Sequence, residues 1–395
     1  MRSAFPSPEE FLRLRNEYRV TSADLHLQSL VFYGVASSAF QSPYCDDLKR
    51  GEHRRYRRLF FAHDRYRFHT RLVERDSTPY LLDRGTLSFH GDALRDFNFV
   101  ELPGEDFGSE KNWYFKHDDR AENPFWELRL NPINGCAQLK HRTGAQGEFR
   151  GCAFCHRMYD APRIGETRRT VSLQEVFRQI EAAHGVDAFR RVEKVLLVTG
   201  NAKDAARLLE LAEEAHEKWL SPRGFTGTFS VVTSQIEEEP DIDRLARIDN
   251  RIFDFTLECF SRRRLILGAG KGKSIDRVRD ILRKARNRFT NIRVNYLVGL
   301  DSMDVLRSGF GELRAAGLVD DVIATTMTPF SQEMTRLRTS ECDSVEFILK
   351  ARMAFREMGL WTRRAGVEKT IFEFDRMESH QQRDLLLPAP SHSGF

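Results

Sequence analysis

The sequence lacks any apolar run of the ~18 residues that a membrane-spanning helix needs, and its first residues lack the apolar segment of a secretory signal peptide. We therefore expect a cytoplasmic chain with no membrane partner. Cysteine is also scarce, with six in 395 residues. Thiols stay reduced in the cytoplasm, so these scattered cysteines do not indicate a disulfide framework. Internal repeats and low-complexity tracts are missing too, and nothing indicates a repeat architecture.

Neither sign of charge is in large excess, because 62 Lys and Arg stand against 58 Asp and Glu, a net charge of +4. So small a net charge does not indicate a polyanionic partner. One segment, residues 49–71, interleaves eight arginines with tyrosine and phenylalanine, the mixture that single-stranded nucleic-acid sites use. We interpret this segment as a solvated basic face over core aromatics, which leaves nucleic acid as the less favoured partner.

From about residue 125 onward, short apolar runs alternate with longer amphipathic ones. The short runs are rich in β-branched and aromatic residues and predict strands, while the longer ones have helical spacing. Strand, helix and strand in repeated order predict a parallel sheet built by crossovers. Because six units are too few for an eight-stranded barrel, we predict an α/β fold, a partial (β/α)6 TIM barrel with an additional N-terminal region. The predicted strands are 125–131, 192–199, 226–233, 252–258, 292–299 and 320–327, and the predicted helices between them are 172–185, 202–220, 274–289 and 302–317.

Three regions follow from this order of elements. Residues 1–124 do not share the alternating pattern, and we predict that they form a separate N-terminal region, a candidate substrate cap. Residues 125–345 form the partial barrel, and 346–395 form a C-terminal helix and strand extension with a polar tail. Further predicted elements in these outer parts are helices over 7–18 and 344–359 and a strand over 367–375.

Three cysteines carry the clearest chemical signal. Cys136 directly follows the first strand of the repeating region, at the edge where parallel sheets carry their sites, and Cys152 and Cys155 follow after a polar loop. Thiolate ligands in a cytoplasmic protein favour zinc or an iron–sulfur cluster. A closed zinc site needs a fourth ligand, and the adjacent candidate His156 is the immediate neighbour of Cys155. A [4Fe–4S] cluster on three cysteines instead keeps one iron open. We interpret Cys45, Cys259 and Cys342 as ordinary thiols.

Cys136, Cys152, Phe154 and Cys155 resemble the cysteine signature of the radical SAM superfamily. The difference lies in the first gap, which is fifteen residues here and usually three in the family. The resemblance implies two cofactors, a [4Fe–4S] cluster held by the three cysteines and S-adenosylmethionine. It also implies reductive cleavage of S-adenosylmethionine to a 5′-deoxyadenosyl radical, which abstracts hydrogen from a substrate.

The resemblance extends over about residues 125–345 and implies contacts to S-adenosylmethionine after three of the strands. One turn meets the methionine part, a glutamate and a basic residue contact the ribose and carboxylate, and another turn lies near adenine. The corresponding residues are Thr199, Gly200 and Asn201 after the second strand, Glu258 and Arg264, with Arg262 and Arg263 as alternatives, after the fourth, and Val298 and Gly299 after the fifth.

The expected function is that of a radical SAM enzyme acting on a small-molecule biosynthetic intermediate and receiving electrons from an external flavodoxin- or ferredoxin-like donor. The alternatives are an RNA-modifying radical SAM enzyme and a zinc-stabilised non-enzymatic binding module. A nucleotide triphosphatase is not favoured, because the P-loop-like stretch at 270–274 has Leu267 where a glycine is required. The sequence identifies no catalytic residue on the substrate side.

Overall fold

The computed structural model describes residues 5–38, 58–63, 66–100, 112–118, 125–133, 136, 151–155, 172–249, 251–329 and 332–360. The strand predicted over 367–375, Cys45 and His156 lie outside these residues. No helix among the described residues is long and apolar enough to cross a membrane. Contacts divide the chain into two units, one of Met1–Asp106, Leu297–Gly311 and Ile323–Phe395, the other of Phe107–Tyr296 and Glu312–Val322.

The unit that contains the N-terminus pairs helices with a six-stranded sheet. Its first helix begins where predicted, because the Ser7 hydroxyl accepts a hydrogen bond from the Glu10 N–H. The sheet order is β1-β4-β5-β6-β2-β3. The helices are α1 Pro8–Glu17, α2 Ser22–Tyr33, α10 Gln332–Thr335 and α11 Val345–Glu357, and the strands are β1 Ala36–Ser37, β2 Arg58–His63, β3 Tyr66–Arg71, β4 Tyr80–Asp83, β5 Thr86–Phe89 and β6 Asp92–Val100.

Within that unit, α11 is bound to α2 through buried polar contacts. Arg352 forms a buried ion pair with Asp24. The Val345 N–H donates a hydrogen bond of 3.2 Å to the Tyr33 hydroxyl. The chain after the barrel helices therefore packs on the N-terminal helices of the same unit.

A second sheet contains the six predicted strands, in the order β13-β12-β11-β10-β9-β8-β7. Register pairs show that β8 to β12 are parallel. The same direction holds for β12 and β13, since the Asp320 and Met327 N–H groups donate to the Ile292 and Val298 carbonyls, each at 2.9 Å. The strands are β7 Trp113–Asp118, β8 Phe125–Leu130, β9 Lys194–Val198, β10 Thr228–Thr233, β11 Ile252–Glu258, β12 Asn291–Val298 and β13 Asp321–Thr326.

The parallel strands are joined by crossover helices, which confirms the predicted partial (β/α)6 barrel. Strand β7 is antiparallel and lies beside β8, so the sheet does not close on itself. The helix predicted over 202–220 begins as an α-helix and continues as a π-helix, Glu214–Leu220. The helices of this region are α3 Leu173–His184, α4 Ala188–Arg191, α5 Ala205–Glu213, α6 Glu239–Ile248, α7 Arg263–Lys271, α8 Ile275–Arg286 and α9 Met303–Ala315.

Part of the basic segment 49–71 forms a hairpin. Strand β2 is antiparallel to β3, and the Phe61 side chain on β2 is fully buried. Residues 49–57 lie outside the described residues. The buried Phe61 side chain agrees with the interpretation that the aromatic residues of this segment belong to the core. Nucleic acid remains the less favoured prediction for the partner.

Candidate cofactor site

The loop of Cys152 and Cys155 docks on helix α7. The Cys155 N–H donates to the Cys152 carbonyl at 3.0 Å, which closes a tight turn, and the Ala153 N–H donates to the Ile266 carbonyl at 2.7 Å. The Cys152 thiol lies 3.8 Å from the Leu267 carbonyl. Helix α7 is interrupted immediately after these two carbonyls, where Gly268 has a φ of 70°. The interruption places the helix end where it can receive the cysteine loop.

Two of the three predicted ligand thiols, Cys136 and Cys155, lie within electrostatic reach of the third, Cys152. Burial raises the pKa of the Cys152 thiol well above its usual value, Lys271 opposes the rise, and Cys155 and Cys136 add to it. Cys152 is 9% exposed, whereas Cys136 and Cys155 are half-buried. A metal cation bound here would lower the pKa of the thiol, because metal coordination favours the thiolate. The donor set therefore suits a metal centre bound through sulfur.

Among the residues that the structure describes, no three His, Cys, Asp or Glu side chains are grouped tightly enough to hold one metal ion. A [4Fe–4S] cluster makes a different demand, because each of its three cysteines binds a different iron. The half-buried Cys136 and Cys155 beside the buried Cys152 fit a multinuclear centre at the edge of the sheet.

Glu258, at the end of strand β11, has a strained backbone. Its φ is 67°, a conformation that residues with a side chain rarely adopt. The Cys259 N–H donates to the Leu257 carbonyl at 2.9 Å, so the strand ends in a three-residue γ-turn centred on Glu258. The register with β12 is also irregular between Thr256 and Glu258. Bulges and strained turns of this kind redirect a side chain and occur often at functional sites.

Arg263 holds this turn in place. Its Nη1 donates to the Leu257 carbonyl at 2.7 Å and to the Cys259 carbonyl, which flank Glu258. Its Nε donates to the Lys273 carbonyl at 2.7 Å. Arg263 is 6% exposed and donates at least three hydrogen bonds to backbone carbonyls, so it positions the turn.

The Glu258 carboxylate is paired with Lys271 at the end of α7. Lys271 Nζ lies 3.2 Å from Glu258 Oε1, and the two side chains are 15% and 13% exposed. Burial alone would lower the pKa of Lys271, but the charges of Glu258 and then Cys152 raise it above its usual value. The other carboxylate oxygen, Glu258 Oε2, is buried and has no hydrogen-bond partner among the described residues. It is therefore free to accept a hydrogen bond from a ligand.

Sequence reasoning missed Lys271 and favoured Arg264. Arg264 and Arg262 have exposed side chains near the start of α7. Lys271 stands thirteen residues after Glu258, and no strand-end motif indicates it. The sequence feature that could have indicated Lys271 is the pair of glycines on either side of it, Gly270 and Gly272, because glycines allow a helix to end in a tight turn.

The predicted turn after β9 is anchored to the next loop. Gln235 accepts a hydrogen bond from the Ala202 N–H at 2.7 Å and donates one to the Ala202 carbonyl at 3.0 Å. Within the turn, the Thr199 hydroxyl donates to the Gly200 carbonyl at 2.7 Å, and Asn201 is buried. Phe154, in the cysteine loop, is half-buried.

Val298 and Gly299, the predicted adenine turn, belong to the unit that contains the N-terminus. Val298 is fully buried, and Gly299 has a φ of 108°. A Cβ at position 299 would lie 2.8 Å from Cys342 Sγ, so only glycine fits without a shift. The Thr339 N–H donates to the Gly299 carbonyl at 2.9 Å, which fixes the turn.

Comparison with known families agrees with this site. Residues 146–305 match the family model described as Radical SAM superfamily. The chain contains a radical SAM domain over these residues. Members of the superfamily use a [4Fe–4S] cluster and S-adenosylmethionine. The match includes Cys152, Cys155, Glu258 and Lys271, and it begins ten residues after Cys136.

Solved structures that resemble part of this chain include three enzymes, one of which, coproporphyrinogen III oxidase, is described as a radical SAM enzyme. Methylornithine synthase is 17% identical with a TM-score of 0.39, covering 53% of this chain and 59% of its own. Coproporphyrinogen III oxidase from Escherichia coli is 15% identical with a TM-score of 0.34, covering 53% and 50%. The FeFe-hydrogenase maturase from Carboxydothermus hydrogenoformans is 14% identical with a TM-score of 0.39, covering 62% and 61%.

The chain thus spans less than two thirds of each of these structures, and identities and scores this low say nothing about its substrate. No curated protein matches the chain.

Proposed function

We propose that this chain is a radical SAM enzyme in which Cys136, Cys152 and Cys155 hold a [4Fe–4S] cluster beside S-adenosylmethionine. One observation carries the proposal. The three thiols share their electrostatic surroundings with a strained glutamate and its lysine partner, inside a domain of this superfamily. When bound, the cluster and S-adenosylmethionine supply reductive carbon–sulfur cleavage and a 5′-deoxyadenosyl radical that removes hydrogen from a substrate.

The chain's own residues contribute binding, orientation and charge. Glu258 offers Oε2 to a hydroxyl or amino group of S-adenosylmethionine, and Arg263 keeps the turn that presents it. Lys271 forms an ion pair with Glu258 and places a positive charge near the cysteines, where a carboxylate of the cofactor can also approach. Thr199, Gly200 and Asn201 are proposed to meet the methionine part, and Val298 and Gly299 the adenine.

The proposed substrate is a small biosynthetic intermediate in the cytoplasm. Radical SAM enzymes need a reductant, and we propose an external flavodoxin- or ferredoxin-like protein for this role. Residues 1–124 are proposed to cap the substrate.

The test is anaerobic turnover of the iron-loaded protein with dithionite and S-adenosylmethionine. We expect 5′-deoxyadenosine and methionine, and the Cys152→Ala protein should form neither, while Cys259→Ala, which removes a buried thiol outside the cluster, should form both. Pools of deuterated metabolites would then identify the substrate, because abstracted deuterium enters 5′-deoxyadenosine. A brown protein that binds S-adenosylmethionine and yields no deoxyadenosine with any reductant would contradict the proposal.

A further inference from the structure

Charged side chains lie on one face of the parallel sheet, between the first and the fifth residue of their strands. We call Glu127, Arg129, Lys194, Asp254 and Arg293 the charged layer. Glu127 on β8 is the register partner of Lys194 on β9, and Asp254 on β11 is the partner of Arg293 on β12. Register partners in a sheet project to the same face. The electrostatic effects of Glu127, Arg129, Asp254 and Arg293 on Lys194 place all five side chains together.

Four of these five charges are already paired. Arg129 Nε lies 2.6 Å from Glu127 Oε1. Arg293 donates to both carboxylate oxygens of Asp254, which also accepts from the Ser230 hydroxyl. The layer therefore contains two ion pairs and one further cation, Lys194, and Glu127 Oε2 is buried without a hydrogen-bond partner among the described residues.

Lys194 makes no hydrogen bond or ion pair with any residue that the structure describes, although it is only 9% exposed. A largely buried ammonium that makes no hydrogen bond to an anion is costly, because it loses much of its hydration. Burial, and then Arg293, lower the pKa of Lys194 to about 8, against the opposing effects of Asp254 and Glu127. At neutral pH the side chain is still mostly charged. An anion bound next to it would offset the free energy lost when the ammonium is buried.

Two neutral polar groups follow the charged layer along the same face, toward the strand ends that carry the cysteines. Thr256 and Asn295 are register partners, each two residues beyond Asp254 and Arg293. Thr256 Oγ1 and Asn295 Nδ2 are buried and have no hydrogen-bond partner among the described residues. Buried polar groups normally have partners, so these two atoms indicate a polar ligand along this face.

We propose that this face binds the substrate and that Lys194 binds its acidic group, a carboxylate or a phosphate. Thr256 and Asn295 then form hydrogen bonds with the polar part between that acidic group and the cofactor. The proposal rests on the proposed function and narrows its substrate class to small anionic molecules. The layer holds three cations against two carboxylates, and the unpartnered polar atoms of Thr256 and Asn295 lie beside it, which distinguishes it from a charge-balanced structural network.

The experiment measures anion binding rather than turnover. Thermal unfolding of the full-length, iron-loaded protein is followed with increasing sodium succinate, sodium phosphate or, at matched ionic strength, sodium chloride. The midpoint should rise saturably with succinate or with phosphate, and whichever salt acts at lower concentration indicates the acidic group. Lys194→Met should weaken this binding about ten- to a hundredfold, as expected for loss of a charged hydrogen bond, and Lys194→Arg should retain most of it.

Lys218→Met is the matched control, because Lys218 is exposed on the π-helix and should leave anion binding unchanged. The ligand-free Lys194→Met protein should unfold at the same or a higher temperature than the wild type, since it loses a buried unpaired charge. Equal anion affinity in Lys194→Met and wild type would overturn the proposal. A lower ligand-free midpoint for Lys194→Met, with Lys194→Arg unaffected, would show a structural role and would also overturn it.

These outcomes are separate from those of the proposed function. If the wild type forms no deoxyadenosine but its anion binding depends on Lys194, the radical reaction fails and the anion site stands. If deoxyadenosine forms and anion binding does not depend on Lys194, the radical reaction stands and the anion site is refuted.

Discussion

Lys271 Nζ lies 3.2 Å from Glu258 Oε1, although thirteen residues separate them in the chain. The contact exists because β11 ends in a γ-turn at Glu258 and α7 is interrupted at Gly268, which brings the helix end back to the strand end. Both side chains are largely buried, so neither charge is well solvated alone. The pair therefore behaves as one unit in the proposed cofactor site.

Lys271→Met should destabilise the protein by about 1–3 kcal/mol, because it leaves a largely buried carboxylate without its partner. Glu258→Gln in the same chain should recover part of this loss. Urea unfolding of the wild type, both single variants and the double variant gives the coupling energy. Additivity to within about 0.5 kcal/mol would mean that the two side chains do not interact.

Binding of S-adenosylmethionine should distinguish the two candidate cations. Lys271→Ala and Glu258→Ala should keep the cluster and weaken binding by about 1–3 kcal/mol for each charged hydrogen bond lost. Arg264→Ala tests the original prediction, since the Arg264 side chain is exposed at the start of α7. Equilibrium dialysis with labelled S-adenosylmethionine measures all three. A loss for Arg264→Ala and none for Lys271→Ala would restore Arg264 as the basic contact.

The backbone at Glu258 predicts an unusual order of variants. With a φ of 67°, glycine should be tolerated better than alanine, by about 1 kcal/mol of unfolding free energy. Glu210 on helix α5 is the control, because in a helix the order reverses and alanine should be the more stable by about 1 kcal/mol. Chemical denaturation of the four variants checks both orders. Equal stability of Glu258→Gly and Glu258→Ala would argue against a strained turn.

The parallel strands and the main helices could be predicted because their signals are local. Buried strands are continuous apolar runs, and helices α1, α3 and α8 begin at Ser7, Ser172 and Ser274, whose side chains each accept a backbone hydrogen bond. Strand β7 and the six-stranded sheet were not predicted. Their strands lie outside the alternation of strands and helices and carry many polar residues, so no apolar run identifies them.

The site was predictable only where it follows strand ends. Cys136 lies in the loop that follows β8 and Glu258 is the last residue of β11, so their placement at that edge follows from topology alone. Lys271 and Lys194 were missed as site residues, and Arg263 was named only as an alternative to Arg264 for a cofactor contact. Their roles depend on a helix interruption, a turn and a register between strands, which are tertiary features without a sequence period.

The cysteine assignment predicts a clear division among alanine variants. Replacing Cys136, Cys152 or Cys155 should lose most of the cluster's visible absorbance and bound iron, whereas Cys259→Ala and Cys342→Ala should retain both. Cys259 and Cys342 are buried and serve as matched thiol controls. Cys136 is the critical case, because the family match begins after it. Dependence on Cys259 equal to that on Cys152 would overturn the ligand set.

The last prediction concerns pH and Lys194. Its pKa is lowered from 10.5 to about 8 in the folded protein, chiefly by burial and by Arg293, against Asp254 and Glu127. Between these two pH values the unfolded chain holds a proton that the folded chain does not, so the unfolding free energy rises with pH. Relative to Lys194→Met, the wild type should therefore gain up to about 3 kcal/mol between about pH 7 and about pH 10, at 1.36 kcal/mol for each unit of pKa shift. Urea unfolding of both proteins across this range measures the difference. A constant or falling difference would show that Lys194 keeps an ordinary pKa and has an anionic partner already in the ligand-free protein.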